Sequence, residues 1–250
     1  CGLCRKVCPY NLSPQKCSGM NYTFGGHIKN QKVLSESTSG GAFSAIVDAW
    51  CDKNYVIFGA VSDGLNVYHD HIFDKKYLDK FRKSKYTQSN IGTSYADAKK
   101  FLQDGKKVLF SGTPCQIAGL KAFLRKPYET LLTIDIVCHG VFSSKLVALE
   151  VEYWENLFNG KLSNLRFRSK RFFPWSMGGV VNFDITDSKG KTVHVERHAK
   201  SSPTYRCFAY SGDGYSYNIR PSCYSCPFRG KGRYGDLTVG DAWGLNKKYP

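Results

Sequence analysis

Between Lys107 and Leu157 the chain alternates two patterns. An apolar run, Lys107 to Phe110, passes through Ser111-Gly112-Thr113-Pro114 into a helical pattern from Cys115 to Leu124. A second run, Leu131 to Val137, leads to a helix that begins at Ser143 or Ser144 and ends at Leu157. Strand, helix, strand, helix of these lengths closes as a parallel βαβ unit, because parallel strands need a crossover and a helix also covers the sheet. Upstream, Phe43, Ile46, Val47 and Trp50 recur at helical spacing within Gly41 to Lys53, and Tyr55 to Ser62 reads as a strand. Asp74 to Ser84 and Ser94 to Gln103 carry helical patterns. Val180 to Thr186 and Thr192 to Glu196 flank Asp187-Ser188-Lys189-Gly190 as a β-hairpin does.

With 250 residues, 42 % of them hydrophobic and 14 % aromatic, the chain can bury a core, so disorder is excluded as the main state. The longest apolar stretch, Leu131 to Phe142, is broken by Asp135 and His139, and no membrane span is expected. No apolar leader with a small-residue cleavage site is present, so export is not indicated and the expected location is cytoplasmic. In that setting ten cysteines read as reduced, metal-binding thiols rather than as a disulfide framework.

Residues Cys1-Gly2-Leu3-Cys4-Arg5-Lys6-Val7-Cys8-Pro9 reproduce the ferredoxin run C-x2-C-x2-C-x3-C-P without its first cysteine. Cys1, Cys4 and Cys8 are therefore candidate ligands of a [4Fe-4S] cluster. A lipidated Cys1 is an alternative, but it leaves Cys4 and Cys8-Pro9 unexplained. The expected fold is α/β, a mixed sheet with βαβ units and a β-rich C-terminal part, preceded by a truncated ferredoxin-like stub. The stub is assigned to residues 1–20, an N-terminal α/β region to 33–158 and a C-terminal region to 159–250. The chain stops soon after Gly240-Asp241-Ala242-Trp243-Gly244, so both ends read as cut.

The other chemistry gathers where strands hand over to helices. Cys115 falls in the first turn of a helix opened by Pro114, where the helix dipole favours a thiolate. Cys138-His139-Gly140 ends the following strand. If the two strands are parallel neighbours, Cys115 and Cys138 share the carboxyl edge of the sheet, where open α/β sheets bind ligands. Far downstream, Pro221-Ser222-Cys223-Tyr224-Ser225-Cys226-Pro227 supplies a C-x2-C turn. Four such thiolates suit a second cluster. The spacing is equally compatible with a closed zinc site, ordinary buried thiols, or a nucleophilic Cys115 or Cys138.

Ser39-Gly40-Gly41-Ala42-Phe43-Ser44, Ser84-Lys85-Tyr86 through Gln88-Ser89, Phe110-Ser111-Gly112-Thr113-Pro114-Cys115-Gln116, Val137-Cys138-His139-Gly140, Pro221-Ser222-Cys223 with Cys226, and Gly240-Asp241-Ala242-Trp243-Gly244 resemble the coenzyme F420 hydrogenase/dehydrogenase beta subunit family. The resemblance implies an FAD and iron–sulfur oxidoreductase that passes electrons between [4Fe-4S] clusters, FAD and a hydride acceptor such as coenzyme F420 or another small molecule. It also implies Cys115, Cys138, Cys223 and Cys226 as ligands of the cluster next to the flavin. Ser39, Gly40, Gly41, Lys85, Gln88 and Ser89 are the matching flavin contacts, and glycines there would let backbone approach a flat ring. No side chain is singled out as a general acid or base. His139 is placed to tune a cluster through a hydrogen bond or merely to cap its strand. The implied partners are other redox subunits or an electron carrier such as ferredoxin. No Gly-x-Gly-x-x-Gly fingerprint accompanies these motifs, so a Rossmann-type dinucleotide site is not supported.

The formal charge is +16, and residues 161 to 206 hold ten Lys or Arg against three acids. Arg166, Arg168, Lys170 and Arg171 stand beside Phe172, Phe173 and Trp175, a pattern suited to single-stranded nucleic acid. An iron–sulfur or zinc-containing nucleic-acid-binding protein is thus the competing expectation. An anionic cofactor or an acidic partner satisfies the same charge.

Overall fold

The computed structural model describes residues 2, 5–6, 8–11, 22–63, 65–169, 180–209, 219–228 and 233–242. Cys1, Cys4, Lys170 to Trp175, and Trp243-Gly244 lie outside the described residues. In chain order, a 3-10 turn at Pro9–Asn11 precedes α1 (Gln31–Glu36), α2 (Ala42–Trp50), β1 (Tyr55–Asp63), β2 (Asn66–Ile72) and a 3-10 helix at Lys75–Phe81. Next come α3 (Ser94–Gln103), β3 (Lys107–Gly112), α4 (Pro114–Leu124), β4 (Leu131–Ile136) and α5 (Ser144–Phe158). The C-terminal part comprises β5 (Lys161–Ser169), β6 (Val180–Thr186), β7 (Thr192–His198), a 3-10 turn at Ala199–Ser201, α6 (Pro203–Ala209), α7 (Pro221–Tyr224) and β8 (Leu237–Val239).

Five strands form a mixed sheet in the order β2-β1-β3-β4-β8, in which only the β1–β2 pair is antiparallel. The expected βαβ unit is β3–α4–β4. Alternation along the strands divides the core in two. Val56, Phe58, Val108 and Phe110 face α3 and α4, whereas Ile57, Leu109 and Ile134 face α2 and the 3-10 helix. A second, antiparallel sheet, β5-β6-β7, packs Val181, Phe183 and Ile185 against Trp154 of α5. No helix among the described residues is long and apolar enough to cross a membrane.

Two departures from the sequence pattern have local causes. The helix expected over Asp74 to Ser84 is a 3-10 helix that ends at Phe81. Its buried residues, Leu78 and Phe81, are three apart, which suits three residues per turn, and Arg82 is extended. Strand β8 joins the sheet because two carboxylates bind it. Fully buried Asp135 accepts from the Tyr234 and Gly235 amides at 3.2 and 2.9 Å. Asp236 accepts from the Thr133 amide at 2.8 Å and hydroxyl at 2.6 Å.

Candidate functional site

The edge formed by the carboxyl ends of β3 and β4 positions the first two thiols. Gly112 pairs with Asp135 in parallel register, so Cys115, in the first turn of α4, and Cys138, just past β4, leave the sheet at the same edge. Helix α4 starts where it does because Thr113 and Gln116 form a reciprocal capping box and Pro114 occupies its first turn. Cys115 Sγ lies 3.1 Å from Thr113 Oγ1. Burial pushes the Cys115 thiol up, the Thr113 hydrogen bond opposes this, and the charges of Cys226 and Cys223 add to the rise. At this position the helix-dipole preference for a thiolate is opposed by the removal of the sulfur from water. Cys138 is pushed up to about 11, chiefly by burial, with the like charges of Cys115, Cys223 and Cys226 adding to it.

The C-x2-C turn reaches this edge through backbone pairing. Arg220 N donates to Val141 O at 3.0 Å, and Ile219 bridges Phe142 in antiparallel fashion. Gly140 has φ of +141°, and a Cβ there would lie 3.0 Å from Ile219 side-chain atoms, so the close approach needs glycine. On the other side, Phe142 N donates to Tyr86 O at 2.8 Å, and Arg220 donates to Gln88. Three stretches of sequence, 84–89, 137–142 and 219–226, thus run side by side. Cys115, Cys138, Cys223 and Cys226 are brought within electrostatic reach of one another. Among the described residues no three Cys, His, Asp or Glu side chains are grouped closely enough to hold a metal ion. The N-terminal segment rests on the same turn. Tyr10 donates its hydroxyl to Ser222 O at 2.6 Å and lies 3.1 Å from Ser225 Oγ, two residues after half-buried Cys8.

A cavity of about 420 Å³ opens beside this arrangement, lined by Glu36, Arg82, Lys83, Lys85, Tyr86 and Arg166 among others. Of the six expected cofactor contacts, Lys85 lines it directly. Ser39, Gly40 and Gly41 do not line it; the segment just before them reaches its wall, where Ser84 Oγ donates to Thr38 Oγ1 at 3.3 Å and Arg82 pairs with Glu36 at 2.9 Å. The glycine pair has a structural use of its own. A Cβ on Gly40 would meet Gly26 O at 2.6 Å, and Gly41, at φ of +77°, abuts Ile28. Gln88 and Ser89 are turned to protein partners, Gln88 to Arg220 and Ser89 to His69 and Gln116.

Residues 105–249 match the family described as the C terminus of the beta subunit of coenzyme F420 hydrogenase/dehydrogenase. The chain belongs to this family. Among solved structures it is similar to a chain of the F420-reducing [NiFe] hydrogenase complex from Methanosarcina barkeri, studied by xenon derivatization. The identity is 17 %, the TM-score 0.52, and the likeness covers 86 % of this chain and 68 % of that one, which supports a shared fold. A search of curated proteins finds no matching sequence. The family match contains all four clustered cysteines and begins after the Ser39–Gly41 and Lys85–Ser89 stretches.

This beta-subunit family member also carries a buried relay that its sequence did not advertise. His69 Nε2 donates to Ser111 O at 2.9 Å, and Ser89 Oγ lies 2.8 Å from His69 Nδ1. Gln116 Nε2 donates to Ser89 Oγ at 2.9 Å, while its Oε1 accepts from the Thr113 amide and hydroxyl. Thr113 Oγ1 then meets Cys115 Sγ. Burial pushes His69 below its ordinary value, the Ser111 bond opposes this, and the Lys85 charge lowers it further. The native state therefore binds fewer protons here than the unfolded chain. The associated stability is present above about pH 6.5 and is lost as pH falls toward the depressed native value. Urea midpoints are expected to fall on acidification below about pH 6.5, and less steeply in His69→Gln. Equal slopes in the two proteins would remove His69 as the cause.

Proposed function

We propose that this chain is the electron-transferring part of an oxidoreductase. In this reading a [4Fe-4S] cluster is held by Cys115, Cys138, Cys223 and Cys226. An FAD lies beside Lys85 and the Ser39-Gly40-Gly41 turn, and the hydride acceptor is coenzyme F420 or another small molecule. Electrons arrive from other redox subunits or a carrier such as ferredoxin by way of Cys1, Cys4 and Cys8. One observation carries the reading: thiols from three separated stretches converge at one sheet edge, each half-buried. A cationic centre would hold these sulfurs as thiolates and offset the cost of keeping them out of water. Lys83 and Arg166 give the cavity the charge to receive a pyrophosphate, with Lys85 on the same wall as a further donor. Gln88 and Ser89 act one step back, holding Arg220 at the C-x2-C turn and His69 in the relay. Bound FAD supplies the conversion between single electrons and a hydride.

The basic and aromatic stretch does not favour the nucleic-acid reading. Arg168 pairs with Asp241 at 2.8 Å, with both side chains largely buried, and Arg166 lines the cavity. Protein loaded anaerobically with iron, sulfide and FAD is expected to show flavin bands near about 370 and 450 nm over a shoulder near about 400 nm, bleached by dithionite. A colourless protein holding one tightly bound zinc would overturn the redox reading.

A further inference from the structure

Within the cavity the amine of Lys85 has neutral acceptors and cationic neighbours. Its Nζ donates to Arg82 O at 2.7 Å and to Lys80 O at 3.2 Å, two backbone carbonyls that carry no charge. Lys83, which follows Arg82 with φ of +72°, and Arg166 of β5 face it with like charge. Arg82 is already neutralised by Glu36, and Asp79, on the cavity wall, acts on Lys83. The nearby imidazole of His69 is held below its ordinary value. Among the described residues no carboxylate lies within ion-pair distance of Lys85.

We propose that Lys85 is a proton-coupled anion receptor: a phosphate- or carboxylate-type group entering this cavity binds together with one proton taken from solvent onto Lys85 Nζ. This rests on the reading of the cavity as the site of the anionic cofactor. The balance is simple, an amine and a proton giving an ammonium, with no bond to carbon made or broken. With the cavity free of an anion, a charged Lys85 bears the cost of burial together with repulsion from Lys83 and Arg166. An anion reverses the sign of the local field, so the same two cations then assist. Two N–H bonds are already spent on carbonyls, which leaves the third donor of the ammonium for the ligand. In keeping with this, burial and then the charges of Lys83 and Arg166 push the Lys85 amine down to about 7. Above neutrality the proton must be acquired on binding, and affinity is expected to fall by up to roughly tenfold per pH unit until the raised value of the bound state is reached.

The experiment is calorimetric titration of the flavin-free full chain with FAD, and separately with inorganic pyrophosphate, in paired buffers of different ionisation enthalpy. Near pH 8 the expected uptake approaches about one proton per ligand, and near pH 6 it falls toward zero. Lys85→Arg, whose charge does not titrate, should bind both ligands without that uptake, and its folded state is checked by circular dichroism. Lys85→Met should weaken binding more at pH 6 than at pH 8. Ligand binding with no proton uptake in the parent, or with the same uptake in Lys85→Arg, overturns the role of Lys85 and leaves the cofactor site standing. Failure of FAD and pyrophosphate alike to bind the parent overturns the site, and the inference with it.

Discussion

Changing Cys223 and Cys226 together to serine is expected to lower the iron content of the reconstituted chain by one cluster, about four irons, and to remove the corresponding part of the absorption near about 400 nm. The fold should survive, because the turn is held by its backbone. Cys223 N donates to Arg220 O at 2.8 Å, Arg220 N donates to Val141 O, and Ile219 packs beside Gly140. None of these contacts uses a sulfur. Serine also preserves size, and far-ultraviolet circular dichroism should be unchanged. Cys51→Ala is the control: Cys51 is fully buried at the end of α2, on the opposite face of the sheet, with its thiol pushed up to about 11 mainly by burial. That variant should lose stability and keep its iron. Unchanged iron in Cys223→Ser/Cys226→Ser, beside an intact spectrum, would show that the pair are not ligands.

The βαβ unit and the candidate thiols were legible for different reasons. Val108 to Phe110 form a continuous apolar run because the strand is buried on both faces, and Thr113-Pro114 with Gln116 announces a helix start. Strand β2 was obscured by its own chemistry. Its buried positions are His69 and Ile72, so apolar alternation is absent, and the Asp63-Gly64 pair was the available hairpin signal. Strand β5 was hidden by Asn164 and Arg168, whose positive φ values accompany register shifts against β6 and break a period of two. Cys115 and Cys138 were predictable as neighbours from parallel pairing alone. The arrival of Cys223 and Cys226 depends on the Phe142–Ile219 bridge, a contact between distant segments that no local pattern encodes. The glycines at 40 and 41 stood out as an approach for a ring, yet the neighbours that require their lack of a side chain are residues 26 and 28.

Phe110→Ala is expected to be among the most damaging single changes in the core, costing about 3–5 kcal/mol, or a fall in melting temperature of roughly 10 °C for a chain of this size. Phe110 is fully buried on a central strand and stacks on Phe58 and on His69, each with ring centroids 5.2 Å apart. Removal of the ring leaves a cavity lined on one side by the rigid sheet and on the other by α3 and α4, which are too constrained to collapse into it. The change also reaches the site. With its stacking partner gone and the space beside it opened, His69 loses part of the burial that lowers its proton affinity. The same variant should therefore show a smaller loss of stability on acidification below about pH 6.5 than the parent, measured by urea midpoints across that range. A cost below about 1 kcal/mol, with the acid response unchanged, would mean that Phe110 does not pack as a keystone between the sheet and the histidine relay.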